Sequence, residues 1–175
     1  LAKYCQNVQL VTMANFEQAF NLFKAHIGRG LIVALDIEAS TPDESDDWLR
    51  QRGAESKFDG FGFEMDSMSL TFGENNEHTL YFSVNHANTD NITSDMLLEV
   101  IRSIPKSVRI VIQNWSFEGP VLYALWGEQL KDNGWHGFLP DVIDTAILSS
   151  YVDENVSSGL KQNSKLYLDY DQVSY

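Results

Sequence analysis

The stretch Leu31–Glu38, LIVALDIE, constrains this chain more than any other. Five apolar residues in succession, β-branched in the middle, predict a strand buried on both faces and placed centrally in a sheet with parallel neighbours. Asp36 and Glu38 then follow two apart. Side chains at that spacing share one face of a strand, so the two carboxylates lie side by side and repel unless something cationic binds between them. A divalent ion would supply that charge. Magnesium and manganese prefer carboxylate and water oxygens, and their sites keep positions for water and substrate phosphates. Taken alone, the pair is a weak signal and more often describes a strand that ends in solvent.

With 175 residues, 43% hydrophobic and 12% aromatic, the chain fits a single globular domain spanning 1–175. A formal net charge of -13 excludes a surface that grips nucleic acid through basic side chains alone. An acidic chain can still meet phosphates if bound metals carry the positive charge. Cys5 is the only cysteine, which rules out an internal disulfide. No apolar run reaches membrane-spanning length and no signal-peptide pattern opens the chain, so the expectation is a soluble, cytoplasmic monomer.

Read in order, Val8–Thr12 predicts a strand, with Asn15 as N-cap of a helix whose Phe16, Ala19, Phe20, Phe23 and Ile27 form one apolar stripe. Gly28 and Gly30 end it, and His26 near its end reads as structural. Residues 40–60 form a long acidic loop. Within it Asp43, Glu44, Asp46 and Asp47 lack the glycine and ligand spacing of a calcium loop, and Trp48 reads as an anchor to the body or a base-stacking platform. Gly62–Phe72 and Thr79–Val84 alternate with period two around a polar turn, which predicts an antiparallel hairpin. His86, just after it, reads as a hydrogen-bonded structural residue. Thr93 or Ser94 caps a helix that Pro105 stops, and Val108–Ile112 returns as a strand parallel to LIVALDIE.

Gln113 and Asn114 close that strand and a helix begins at WSFEGPVL. Pro120 fits only a first turn, which sets Glu118 near the helix N-terminus, where the dipole favours an anion. If the two strands are neighbours, Glu118 stands beside Asp36 and Glu38. Trp135 and His136 read as connecting loop without chemistry.

VALDIE, YFSVNH, IVIQNWSFEGPVL, DVIDTAILSSYV and GLKQNSKLYL, in that order, resemble the proofreading 3′–5′ exonuclease domain of family A, DNA polymerase I-like, DNA polymerases. The phrase NWSFE is most similar to the bacteriophage members. The resemblance runs from about Val8 to the end. It implies an α/β, ribonuclease H-like fold, expected here as a mixed sheet of five strands, the first three antiparallel, with helices on both faces. By the same resemblance Asp36, Glu38 and Glu118 are catalytic metal ligands, and Asn114 binds substrate. Glu118 stands where the family has aspartate, so direct ligation, a water-mediated contact and weakened binding all remain open. Asp144 and Thr145 match an Asp-Thr pair near the site that is not the fourth ligand.

The family's fourth ligand lies in a Tyr-x-x-x-Asp motif on a later helix. Asp169 follows Lys165 by four and Asp171 follows Tyr167, so neither fits, and the expectation is a domain truncated before its last catalytic helix. The resemblance further implies two Mg2+ or Mn2+ ions about 4 Å apart, a single-stranded DNA 3′ end as substrate, and a polymerase domain as partner. Activity of this piece is expected to be weak or absent. A viral protein would work in the host cytoplasm. The competing readings are a non-catalytic exonuclease-like domain that binds DNA or docks on a polymerase, and an RNA-trimming exonuclease of the same superfamily.

Overall fold

The computed structural model describes residues 7–40, 63–132, 141–155 and 157–172. The expectations for the 41–60 loop, its acidic cluster and Trp48, and for Trp135 and His136, lie outside these residues. Six strands form one mixed sheet in the order β1-β4-β3-β2-β5-β6. They are β1 Val8–Val11, β2 Ile32–Ser40, β3 Glu64–Phe72, β4 His78–Ser83, β5 Arg109–Ile112 and β6 Val142–Asp144. The helices are α1 Phe16–His26, α2 Ser94–Arg102, α3 Trp115–Asp132, α4 Thr145–Val152 and α5 Leu160–Leu168.

Five strands were expected, and the sixth is β6, three residues that pair in parallel with β5 and run straight into α4. Three residues are too few for a period-two pattern to register. The antiparallel run is β2-β3-β4, whereas β1 pairs in parallel with β4 at the far edge. The parallel neighbour expected for β2 is β5.

β2 is central, but it is buried on one face and not on both. Val33, Leu35 and Ile37 are buried, whereas Ala34, Asp36 and Glu38 alternate with them on an open face and Leu31 is 82% exposed. The dry face continues through Met68, Leu70 and Phe72 of β3, Leu80 and Phe82 of β4, and Ile110 and Ile112 of β5. Buried side chains of α1, α2 and α3 complete this one core, among them Phe23, Leu97, Ile101, Leu122 and Leu130. Phe23 meets Phe72 edge-on, with ring centroids 4.8 Å apart, a geometry that adds about 1 kcal/mol to the area buried. α4 buries no residue and α5 only Ser164.

The caps differ in kind. Thr93 Oγ1 accepts from the Met96 N–H and caps α2 as expected. Asn15 does not cap α1 through its side chain. Instead it closes the turn before it, accepting from the Thr12 N–H at 2.9 Å and donating to the Leu10 carbonyl at 2.8 Å. Pro120 lies inside α3, beyond its first turn, because the helix starts as early as Trp115. Pro120 has no N–H to offer the carbonyl four residues back, that of Ser116, an exposed residue.

At the other end of the sheet the turn after α1 touches the β3–β4 turn. A Cβ on Gly30 would collide with the Gly73 carbonyl oxygen, and Gly73 itself adopts a φ of +106°. Gly30→Ala is therefore expected to lower thermal stability by about 1–3 kcal/mol, because backbone has to shift. A thermal melt beside the parent chain checks this, and unchanged stability would show that the two turns do not need to touch.

Candidate metal and nucleic-acid site

Register lays out the open face in rows. Asp36 pairs with Ser69 and Ser69 with Tyr81; Glu38 pairs with Ser67 and Ser67 with Ser83. A register shift between Glu38 and Ala39 marks where the antiparallel ladder is interrupted, immediately after the second carboxylate. The hydroxyls of this face largely satisfy one another. Tyr81 donates to Ser67 Oγ at 2.7 Å and lies 3.0 Å from His86 Nε2. The main chain of His86 is held by the side chain of Asn91, which accepts from its N–H and donates to its carbonyl. His86 is thus the hydrogen-bonded structural residue that the sequence analysis expects.

The pairing of β2 with β5 brings in the second segment, since α3 starts where β5 stops. Asn114, in the turn between them, is exposed and takes a φ of +67°, a left-handed conformation that asparagine tolerates better than most residues. Its Oδ1 accepts from Ser116 Oγ. Glu118, one turn on, is 4% exposed and its Oε2 has no hydrogen-bond partner.

Asp144 fixes this corner. Its carboxylate accepts from the N–H groups of Asn114 (3.1 Å) and Trp115 (2.8 Å) at the start of α3, and from that of Ala146 (2.8 Å) at the start of α4. One side chain therefore caps two helices, with the dipoles of both favouring its negative charge. Thr145 Oγ1 donates to the Ile112 carbonyl at 3.2 Å and binds the side chain of Gln113. No local pattern in the sequence announces this double cap beyond the Asp-Thr pair of the resemblance.

The acids sense each other. Asp36 is pushed up to about 6, by lost hydration first and by the Glu38 charge second. Glu118 is pushed up to about 8 by burial, opposed by the hydrogen bond from its own backbone N–H and reinforced by Asp36, Asp144 and Glu38. The structure thus places Asp36, Glu38 and Glu118 in one electrostatic neighbourhood. It does not close them onto a point: among the described residues, the set of three potential ligands whose atoms all lie within 4.8 Å is His26, Glu77 and His78. Carboxylates with no cation between them are expected to stand apart. Asp169 and Asp171 are paired with Lys165 at 3.1 and 2.9 Å, and Asp144 is committed to backbone donors, so none of these three offers a free fourth carboxylate.

Two outcomes follow. Asp144→Ala removes both caps and is expected to cost about 2–4 kcal/mol, one to two per cap, read by thermal or urea unfolding. Glu118 ionises at higher pH folded than unfolded, so its contribution to stability is complete below about 4.5 and is lost as pH rises toward 8. Without divalent ions the parent chain should melt lower at pH 8 than at pH 5, and Glu118→Gln should flatten that difference by a few kcal/mol. Parallel pH profiles of parent and variant would count against this assignment.

No protein-family model and no curated protein matches the chain. Solved structures do. A chain in the structure of the yeast NOT1 MIF4G domain co-crystallized with CAF1 matches with a TM-score of 0.68 at 14% identity, over 95% of this chain and 80% of that one. Escherichia coli RNase D, described as an exoribonuclease involved in structured RNA processing, matches at 0.60 and 17%, over 95% of this chain and 35% of that one. S. pombe Pop2p, in a Mg2+- and Mn2+-bound form, matches at 0.61 and 14%, over 96% and 84%. At these identities the likeness is one of fold: the chain has the mixed-sheet α/β architecture of these proteins.

Proposed function

We propose that the chain is a divalent-metal-dependent 3′–5′ exonuclease domain acting on single-stranded nucleic acid. What supports this reading is that Asp36, Glu38 and Glu118, from two distant segments, lie near enough to raise one another's pKa, in a fold shared with an exoribonuclease and with a protein described with Mg2+ and Mn2+ bound. The donor set consists of hard oxygens, which suits Mg2+ or Mn2+. Two of the acids are held above their ordinary pKa values, and one buried oxygen has no partner. A cation relieves all three conditions at once.

Asp36, Glu38 and Glu118 would hold the ions. When bound, these supply positive charge for the scissile phosphate and a more acidic attacking water. The chain's own contribution is placement. β2 fixes Asp36 and Glu38 on the wet face, α3 presents Glu118, and Asp144 holds the turn from which Asn114 reaches solvent toward substrate. Trp115, whose backbone N–H the same clamp holds, flanks that turn.

The finer reading is proofreading of DNA 3′ ends beside a polymerase domain in the cytoplasm, of the host if the protein is viral. It rests on the order of the motifs in the sequence. RNA trimming is the second reading, and the printed description of RNase D supports it. A non-catalytic domain is the third, supported by the unclosed spacing of the three acids.

One experiment separates them. The chain, with Mn2+, is incubated with 5′-labelled single-stranded DNA and RNA, beside Asp36→Asn and a chelator control. Slow stepwise shortening of DNA from its 3′ end is expected, abolished by chelation and reduced roughly 100-fold or more in Asp36→Asn, the loss of several kcal/mol of charge stabilisation. Faster shortening of RNA would replace the DNA reading. Binding without cleavage at any manganese concentration would favour the non-catalytic one.

A further inference from the structure

We propose that His26, Glu77 and His78 form a second metal site, for zinc or a chemically similar first-row transition ion, that staples the end of α1 to the β3–β4 turn. It is independent of the carboxylate corner. The register places Ser67 opposite Glu38, whereas His78 pairs with Phe72, five residues further along β3. At the usual rise per residue the two places stand about 17 Å apart along the sheet.

The geometry is that of ligands already gathered. One ligand atom from each residue lies within 4.8 Å of the other two, and all three residues are half-buried. The imidazole centroids of His26 and His78 are 4.4 Å apart with planes at 68°, and His78 Nε2 stands 3.7 Å from Glu77 Oε1. That is too long for a hydrogen bond. It is close to the separation of about 3.4 Å that two ligands keep when each lies about 2.1 Å from a tetrahedral ion. Glu77 is aimed by its other oxygen, which accepts the Asn75 N–H at 2.9 Å. His26 and His78 are carried by different elements, so the pair exists only in the folded chain.

The chemistry selects the ion. Two imidazoles and one carboxylate suit zinc and its neighbours and leave a fourth position for water, whereas magnesium and calcium prefer all-oxygen shells. The opposing group is Arg29, whose Nη1 lies 3.5 Å from His26 Nδ1. A guanidinium there competes with a cation for the same ring. The two turns meet closely, through Gly30 and Gly73, so an ion across them adds a tie between residues 26 and 78 that the unfolded chain lacks.

The test uses the full chain carrying Asp36→Asn, Glu38→Gln and Glu118→Gln, so that the three acids of the carboxylate corner do not contribute. Zinc chloride is titrated by calorimetry and by thermal melting, with magnesium chloride as control and cobalt(II) as a spectroscopic probe. Binding of one equivalent of zinc is expected, with a melting temperature that rises with zinc and not with magnesium, and a visible ligand-field band with cobalt. His26→Gln and His78→Gln should each weaken zinc at least about tenfold, and Arg29→Gln should tighten it. Melting without metal shows whether each variant folds, and Glu77→Gln gives a third variant of nearly unchanged shape. Absence of stoichiometric zinc binding, or an affinity indifferent to every one of these ligand changes, would overturn the site; unchanged affinity in Arg29→Gln would overturn its role as competitor.

Discussion

The alternation of β2 is the constraint on which the rest depends. A strand hydrogen-bonded on both edges, antiparallel to β3 and parallel to β5, cannot shift by one residue without exchanging its two faces. Val33, Leu35 and Ile37 anchor that choice in a core shared with α1, α2 and α3. Once they face inward, Asp36 and Glu38 must face outward. The same residues thus set the hydrophobic register and the position of the carboxylates, and the parallel pairing with β5 fixes where α3 begins.

The second carboxylate segment is held by electrostatics as well as by the apolar packing of Val121, Leu122, Trp126 and Leu130. Asp144 gathers unsatisfied N–H groups from the first turns of two helices, a place where a single negative charge meets two favourable dipoles. Glu118 then sits buried beside other acids with an unpaired oxygen. Left metal-free, such an arrangement costs stability, and proteins commonly concentrate that cost where function needs charge. A hydrogen bond from the backbone N–H of Glu118 itself partly offsets the loss.

The two ends of the sheet differ in ligand chemistry. At the carboxyl end of β2, oxygen donors from β2 and α3 adjoin a polar face that carries Ser69 and Tyr81 and the buried Ser67 and Ser83. At the β3–β4 turn two imidazoles and one carboxylate face each other where backbones approach through Gly30 and Gly73. All-oxygen donors suit hard ions at the first, and the mixed imidazole and carboxylate set suits a transition ion at the second.

The sequence by itself determined the apolar rows, the helices α1 to α3, the hairpin, and the pairing of Asp36 with Glu38 on one face, because each follows from short-range periodicity or spacing. The expected pairing of the Leu31–Glu38 strand with Val108–Ile112 also set the segment of Glu118 beside Asp36 and Glu38. Only the tertiary structure decided that β2 has an open face, since an unbroken apolar run reads alike whether one or both sides are covered. Burial likewise could not be read for Glu118, nor the double cap of Asp144, nor the approach of His26 to His78. Those depend on which surfaces meet, and residues 52 positions apart in the chain carry no local pattern that announces it.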